Sequence, residues 1–74
     1  MIPTEARRLM ELYKATATNT ESDTVAEANI AHLVGMIGYA AACGHITPIE
    51  HSNEWVAIKL IRAQRANARR AVAA

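Results

Sequence analysis

A row of cations near the carboxyl end is the feature of this chain with the clearest potential for binding. Between positions 59 and 70 the sequence carries five basic residues and no acidic one. Spacings of three and four residues place most of them on one side of a helix, and the only tryptophan precedes them at the same spacing. The residues that we predict to bind a partner are Trp55, Lys59, Arg62, Arg65 and Arg69.

Two kinds of partner fit such a face. Trp and Arg are enriched among the residues that dominate protein interfaces, so a protein partner, expected to be a host protein, is our first interpretation. Clustered cations also bind the phosphate backbone, so a small nucleic-acid-binding regulator is the alternative. A helix-turn-helix is not supported, because the helix that would enter the groove begins with Glu50 and Glu54 and has no early cation. The simplest alternative is a solvated face that complements the helix dipole.

Four residues near the middle of the chain have side chains that can ligate metals: Cys43, His45, Glu50 and His51. Their spacing matches none of the structural zinc patterns, and no residue is placed to orient a Cys–His pair for nucleophilic catalysis. We therefore expect Cys43 to be a small buried apolar residue. The sequence also lacks a phosphate-binding loop and a dinucleotide fingerprint, so we expect no cofactor, no metal site and no enzymatic activity.

A second candidate surface is made of small residues. Five Ala and Gly residues recur at spacings of three and four, as in a heptad seam: Ala28, Ala31, Gly35, Gly38 and Ala42. Glycine inside a helix costs about 1 kcal/mol relative to alanine, so this small-residue seam predicts the close approach of another backbone. That backbone belongs either to another helix of the same chain or to a second copy, and the pattern leaves both alternatives open.

Periodicity predicts the elements that position these residues. We expect an all-α fold with three helices, at about 3–18, 25–43 and 48–71. A short, turn-rich connector between the second and third helices predicts a helical hairpin. With the seam, this favours a dimeric helical bundle.

Capping signals mark the ends of these helices. Thr24 followed by Glu27 fits a capping box at the start of the second helix, with Asp23 as a competing cap. Gly44 is a typical residue just past a helix end. Thr47 and Glu50 form a second capping box, which starts the third helix.

The helix faces predict how the elements pack. In the second helix the bulky face comprises Ile30, Leu33, Val34, Ile37 and Ala41. In the third helix one apolar sector comprises Val56, Leu60, Ile61, Gln64, Asn67, Ala68 and Ala71. We expect that sector to pack on the core and the arginines, on the other side, to face solvent.

Length and composition restrict what the chain can do alone. Its 74 residues form one helical domain, 1–74, and 51% of them are hydrophobic but only 4% are aromatic. A domain this small has a marginal core, so we expect a homodimer or a complex with another protein. One cysteine, and a start without a basic and apolar leader, indicate a cytoplasmic protein. The uncharged stretch 28–49 contains Asn29, His32 and Pro48, so a membrane span is not expected.

The chain resembles, in style, the small accessory proteins of temperate phages, prophages and plasmids. The turn at 44–50, Trp55 after it and the arginine-rich end carry this resemblance. The resemblance implies a host-takeover or anti-defence protein that modulates or inhibits a host process by binding a host protein. It assigns no function to any individual residue.

Overall fold

Three α-helices account for most of the chain in the computed structural model, which describes residues 2–73 and side chains as far as Val72. Helix α1 spans Thr4–Asn19, α2 spans Asp23–Ala42 and α3 spans Pro48–Ala73. No strand occurs within residues 2–73, so the predicted all-α, three-helix fold is confirmed. Met1 and Ala74, which the single-domain prediction includes, lie outside the described residues.

The start of α2 is capped by Ser22 and not by Thr24, which the sequence predicted. The Ser22 hydroxyl accepts a hydrogen bond from the backbone N–H of Val25 at 3.2 Å. Both Ser and Thr are good caps, so the local pattern did not distinguish the two registers. Asp23 thereby falls in the first turn of the helix, where carboxylates are favourable.

The turn from α2 to α3 has the predicted geometry. Gly44 has a φ of 71°, in the left-handed region that glycine occupies without a steric penalty. The backbone N–H of Thr47 donates to Glu50 Oε1 at 2.9 Å, and the N–H of Glu50 donates to Thr47 Oγ1 at 3.1 Å. The second capping box is therefore confirmed, and the hydrogen bond from the Thr47 backbone is the main reason that the pKa of Glu50 is lowered.

The core is small and centred on α2. Its large, fully buried side chains are Ile30, Leu33, Ile37 and Ile58. Helix α1 packs more extensively on α2 than α3 packs on either. The predicted bulky face of α2 is correct except at its end, where Ala40 is buried and Ala41 is exposed.

Helix α3 packs through a different face from the one predicted. Of the predicted sector only Ile61 is buried, and the exposed members are Val56, Leu60, Gln64, Asn67, Ala68 and Ala71. The inward side carries Glu54, Ile58 and Arg65 in addition to Ile61. The prediction was wrong because Ile58 and Ile61 lie on the same side of the helix as the arginines. The turn between α1 and α2 also offers carboxylates and carbonyl oxygens to those arginines.

Candidate functional site

The predicted partner-binding arginines lie against the α1–α2 turn, where each of them forms an ion pair. Arg65 Nη2 lies 2.8 Å from Asp23 Oδ1, and Arg69 Nη1 lies 2.7 Å from Oδ2 of the same carboxylate. Arg62 donates to both carboxylate oxygens of Glu27, at 3.3 and 3.0 Å. We call these five residues the arginine clasp, because they join the end of α3 to the start of α2.

Arg65 is the central member of the clasp. Its side chain is only 14% exposed, and it donates to the backbone carbonyl oxygen of Ala17 at 3.0 Å and to that of Thr20. The last carbonyls of a helix lack partners within the helix and carry partial negative charge. Because α1 has no basic residue in its last turn, Arg65 supplies from α3 the cation that this helix end lacks.

The clasp compensates charge within the chain. Hydrogen bonds from Arg65 and then Arg69 lower the pKa of Asp23. The hydrogen bond from Arg62 lowers the pKa of Glu27, and the pKa of Arg62 is raised in return. The arginines therefore present less net charge to an outside partner than their number suggests.

Two further cations on α3 stay exposed. Lys59 and Arg70 make no ion pair with any residue between positions 2 and 72. They lie eleven positions apart, too far to act together on one phosphate group.

A separate ion pair, outside the clasp, joins α1 to α3. Lys14 Nζ lies 3.0 Å from Oε1 of Glu54 and 2.7 Å from its Oε2, and both side chains are mostly buried. Burial lowers the pKa of Lys14, but the hydrogen bonds and charges of Glu54 and Glu11 outweigh burial and raise the pKa overall. Oε2 accepts no hydrogen bond within residues 2–73, so the nearby ammonium compensates its charge by proximity.

Trp55 lies between surface and core. It is half-buried and packs against the core cluster. Its indole Nε1 donates to Nε2 of His51 at 3.3 Å, and the two rings meet edge to face with centroids 6.4 Å apart. Trp55 thus covers one end of the core and leaves only part of its ring for contact with a partner.

The small-residue seam of α2 is open to solvent along its whole length. All five of its residues are exposed, and a Cβ added at Gly35 or Gly38 would meet no described atom within 4 Å beyond the adjacent backbone of α2 itself. Close packing of this seam within one chain is therefore wrong: α1 and α3 cover the opposite side of α2, where Ile30, Leu33 and Ile37 lie. The alternative, packing against a second copy, stays a prediction.

An apolar groove opens beside the seam, between α2 and the start of α1. Its volume is about 440 Å³. Its lining includes Ile2, Ala6, Met10, Ala31, Gly35, Met36 and Tyr39. The ring of His32 on α2 stacks on the ring of Tyr13 on α1, with centroids 5.3 Å apart. This contact holds the two helices together beside the groove. Among the residues that the structure describes, the groove is lined by no Asp, Glu, Lys or Arg, so it suits an apolar occupant.

A second groove, of about 570 Å³, lies beside the clasp. Its polar lining includes Asp23, Arg65 and Arg69, which already bind one another. Its apolar lining is Ile61, Ala68 and Val72. The rest of its lining is polar and comes from Thr18, Thr20, Glu21 and Gln64, although most of the surface that the groove exposes is apolar.

The residues considered as metal ligands do not form a site. Within residues 2–73 no three His, Cys, Asp or Glu side chains come together in a way that could hold a metal ion. Cys43 is exposed, so the prediction that it is buried was wrong. It follows the last residue of α2, where the helix turns away from the core, and a hydrogen bond with Cys43 raises the pKa of Tyr39.

Helix α2 is also long and apolar enough to cross a membrane, judged by length and composition. Its 20 residues include an 18-residue window with a mean hydropathy of 1.2, of which 28% is buried. Core helices of soluble proteins pass the same test, so this is weak evidence. The small-residue seam explains the high mean hydropathy of α2, because it adds uncharged residues to the outer side of a core helix.

The arginines were found from the sequence, but the carboxylates that bind them were not. Asp23 and Arg65 are 42 positions apart, and Glu27 and Arg62 are 35 apart. The segregation of acidic residues in 21–27 from basic residues in 59–70 was the available signal, since opposite charges favour the approach of the segments that carry them. No family model matches this chain, and neither a curated protein nor a solved structure with significant similarity to it was found.

Proposed function

We propose that this chain is a small non-enzymatic protein that acts by binding another protein. The observation that carries the proposal is the outer surface of α2, an exposed and uncharged strip next to an apolar groove of about 440 Å³. Exposed apolar patches flanked by polar residues are typical of interaction sites. An amphipathic helix of a partner, laid along such a groove, buries its apolar side against it.

The internal ion pairs support this proposal over nucleic-acid binding. A phosphate-binding face needs cations that are available to exchange counterions for phosphates. Arg62, Arg65 and Arg69 instead bind Asp23 and Glu27. For that reason Trp55, Lys59 and the three arginines are proposed as a secondary contact at most, with Lys59 and the exposed part of Trp55 reaching the partner.

The narrower parts of the proposal rest on the sequence. They are a helical hairpin of α2 and α3, a homodimer, a cytoplasmic location, and a modulator or inhibitor of a host process such as mobile genetic elements carry. The resemblance in style supports only the last of these. The small core, with four large side chains fully buried, supports association, because a domain of this size is marginal alone.

The experiment compares affinity capture by two lysine variants. Ala31→Lys places a charge on the outer surface of α2, whereas Ala15→Lys places the same charge on an exposed position of α1 away from the groove. Capture is done after nuclease treatment. For each captured protein, the amount bound by Ala31→Lys is compared with the amounts bound by wild type and by Ala15→Lys. Proteins lost with Ala31→Lys and retained with Ala15→Lys support the proposal.

Binding of duplex DNA is measured in parallel at low and high salt. Anisotropy of labelled DNA that rises only at low salt, and that is lost when Lys59 and Arg70 are both changed to Gln, would replace the proposal by the nucleic-acid alternative. Equal capture by wild type and both lysine variants would exclude the outer surface of α2 as the binding site.

A further inference from the structure

Helix α3 turns an uncharged stripe directly away from the core. Its six positions are Ile49, Asn53, Val56, Leu60, Ala63 and Asn67, and all six are exposed. We call them the α3 stripe. The aliphatic members are strongly exposed, with Ile49 at 73% and Leu60 at 56%. The side of α3 that faces the core combines Ile58 and Ile61 with the clasp arginines, so α3 has aliphatic residues on both its inner and its outer side, unlike an amphipathic surface helix.

The spacing of the stripe is that of a coiled-coil seam. Successive members are four, three, four, three and four residues apart, which alternates between the two core positions of a heptad. Ile49, Val56 and Ala63 occupy one of these positions. Asn53 and Asn67 occupy the other, where an asparagine fixes register at some cost in stability. A stripe of this kind predicts a second helix along α3.

The accessible surface area of this chain is larger than that of a compact monomer of the same mass, as expected for a protein that associates. Folded monomers of 8.0 kDa expose about 4,450 Å². This chain exposes 5059 Å², which is larger by about 600 Å². A stable complex removes about 800 Å² from each partner, so an interface of ordinary size would more than offset the excess. The radius of gyration of 13.3 Å also exceeds the value of about 11.3 Å for a compact domain of this length.

The chemistry of the stripe favours a second copy of the same chain. A closed dimer brings one patch against itself, so the patch must satisfy its own polar groups and must not repel itself. The amide groups of Asn53 and Asn67 both donate and accept hydrogen bonds, so each can pair with an amide of the other copy. The six positions carry no charge, although the next position of the same spacing is Arg70, so the seam is uncharged only from Ile49 to Asn67.

We infer that the chain forms a homodimer in which the α3 stripes of two copies pair about a two-fold axis. This deepens the homodimer named in the proposed function by assigning its surface. It leaves the outer surface of α2 accessible for a different protein. The α2 small-residue seam would then not be the dimer interface.

The test measures the solution mass by light scattering across a dilution series, using a matched pair of variants. Leu12 of α1 and Leu60 of α3 are both 56% exposed, so Leu12→Lys and Leu60→Lys make the same change at the same exposure. Wild type and Leu12→Lys are expected at twice 8.0 kDa. Leu60→Lys is expected to raise the dissociation constant by about thirtyfold or more. Circular dichroism controls for folding, and Val56→Lys repeats the change at a second stripe position.

Three outcomes would overturn the inference. One is a wild type that stays monomeric at the highest concentration. Another is a Leu60→Lys variant that stays dimeric while Ala31→Lys dissociates, which would assign the interface to α2. The third is equal dissociation of Leu12→Lys and Leu60→Lys. Capture of a different protein through Ala31 is a separate measurement, so failure of the dimer leaves that part of the proposed function standing.

Discussion

The outer faces of α2 and α3 are both uncharged and both exposed, yet they are built from opposite kinds of side chain. The seam on the outer face of α2 consists of three Ala and two Gly residues, so it projects no large side chain, and its two glycines lower the helix propensity. The α3 stripe carries projecting aliphatic groups and two amides. The small-residue seam of α2 leaves room for the side chains of a different protein. The projecting side chains of the α3 stripe can instead interdigitate with those of the same stripe on a second copy. The difference therefore suggests two separate contacts, one with a different protein and one with a second copy.

The outer face of α3 is determined by which side of the helix packs on the core. Ile58 is fully buried and Val56, two residues earlier, is 52% exposed. Ile58→Ala should lower the free energy of unfolding by about 2–5 kcal/mol, because it removes buried methyl groups and leaves a cavity. Val56→Ala should change the stability of the monomer by less than about 0.5 kcal/mol.

Denaturant unfolding at low protein concentration measures both variants as monomers. If Ile58→Ala does not fold, Ile58→Val makes a smaller cut at the same site, with an expected cost of about 0.5–1.5 kcal/mol. Equal costs at positions 56 and 58 would mean that α3 is rotated from the orientation described.

The clasp joins α3 to α2 in that orientation, in addition to buried Ile58 and the Lys14–Glu54 ion pair. Arg65→Met keeps a long apolar side chain but leaves the carbonyls of Ala17 and Thr20 without their partner. Leaving buried polar groups unsatisfied costs about 1–3 kcal/mol. Arg69→Met removes one exposed ion pair with Asp23, and such pairs contribute little. Thermal unfolding of the two variants should therefore rank Arg65→Met well below Arg69→Met, and the opposite ranking would assign the main role to the exposed end of the clasp.

The open face of α2 makes a prediction of the opposite sign. Gly35→Ala should raise the stability of the monomer by about 1 kcal/mol, because alanine favours the helix and its Cβ meets no atom within 4 Å. Gly38→Ala should do the same. Chemical denaturation at low and high protein concentration distinguishes the alternatives. A loss of stability at high concentration alone would indicate that a second copy packs closely on this face.

Acid should loosen α3 before it affects the core. The pKa values of Asp23 and Glu27 lie below their ordinary values of 3.8 and 4.5, chiefly because of the hydrogen bonds from Arg65 and Arg62 respectively. The folded state thus binds these protons less readily than the unfolded state. The stability that these groups contribute is complete above their ordinary pKa values and is lost as the pH falls through the lowered ones.

This pH dependence is measured as the melting temperature between pH 6 and pH 2, a window of about four units that spans both ordinary pKa values. Asp23→Asn should flatten the acid side of the profile. Glu21→Gln removes a neighbouring exposed carboxylate that makes no ion pair among residues 2–72, so it should leave the profile unchanged. A profile for Asp23→Asn as steep as that of the wild type would show that Asp23 does not contribute to the acid dependence of stability.

The sequence predicted most of the fold because its signals were local. The capping box of Thr47 and Glu50 and the helix end at Gly44 depend on residues within a few positions of each other. The α2 face around Ile30, Leu33 and Ile37 was also predictable, since its bulky side chains recur with the helical period.

The orientation of α3 was not predictable from local signals. Val56 and Leu60 lie on the side of α3 that has more aliphatic residues, so the sequence predicted that this side packs on the core. Ile58 was not included because it lies among charged residues. The side that carries Ile58 packs inward, with Ile58 and Ile61 buried, and Asp23 and Glu27, far away in the sequence, bind the arginines beside them. The arginines of the candidate site were predicted to be available to a partner for the same reason. Their counterions, Asp23 and Glu27, lie far away in the sequence and are not visible in the local pattern.

The position of Arg65 also has a consequence for the order of folding. Its bonds to Ala17, Thr20 and Asp23 join segments 48, 45 and 42 positions apart, whereas α1 and α2 are joined by a turn of three residues. Closing a long loop costs more chain entropy than closing a short one, and contacts of high sequence separation form slowly. The α1–α2 pair should therefore form first, and α3 should dock last on a turn that already presents its carbonyls. Kinetic refolding of Arg65→Met should then show faster unfolding with nearly unchanged folding, the pattern of an interaction made after the transition state.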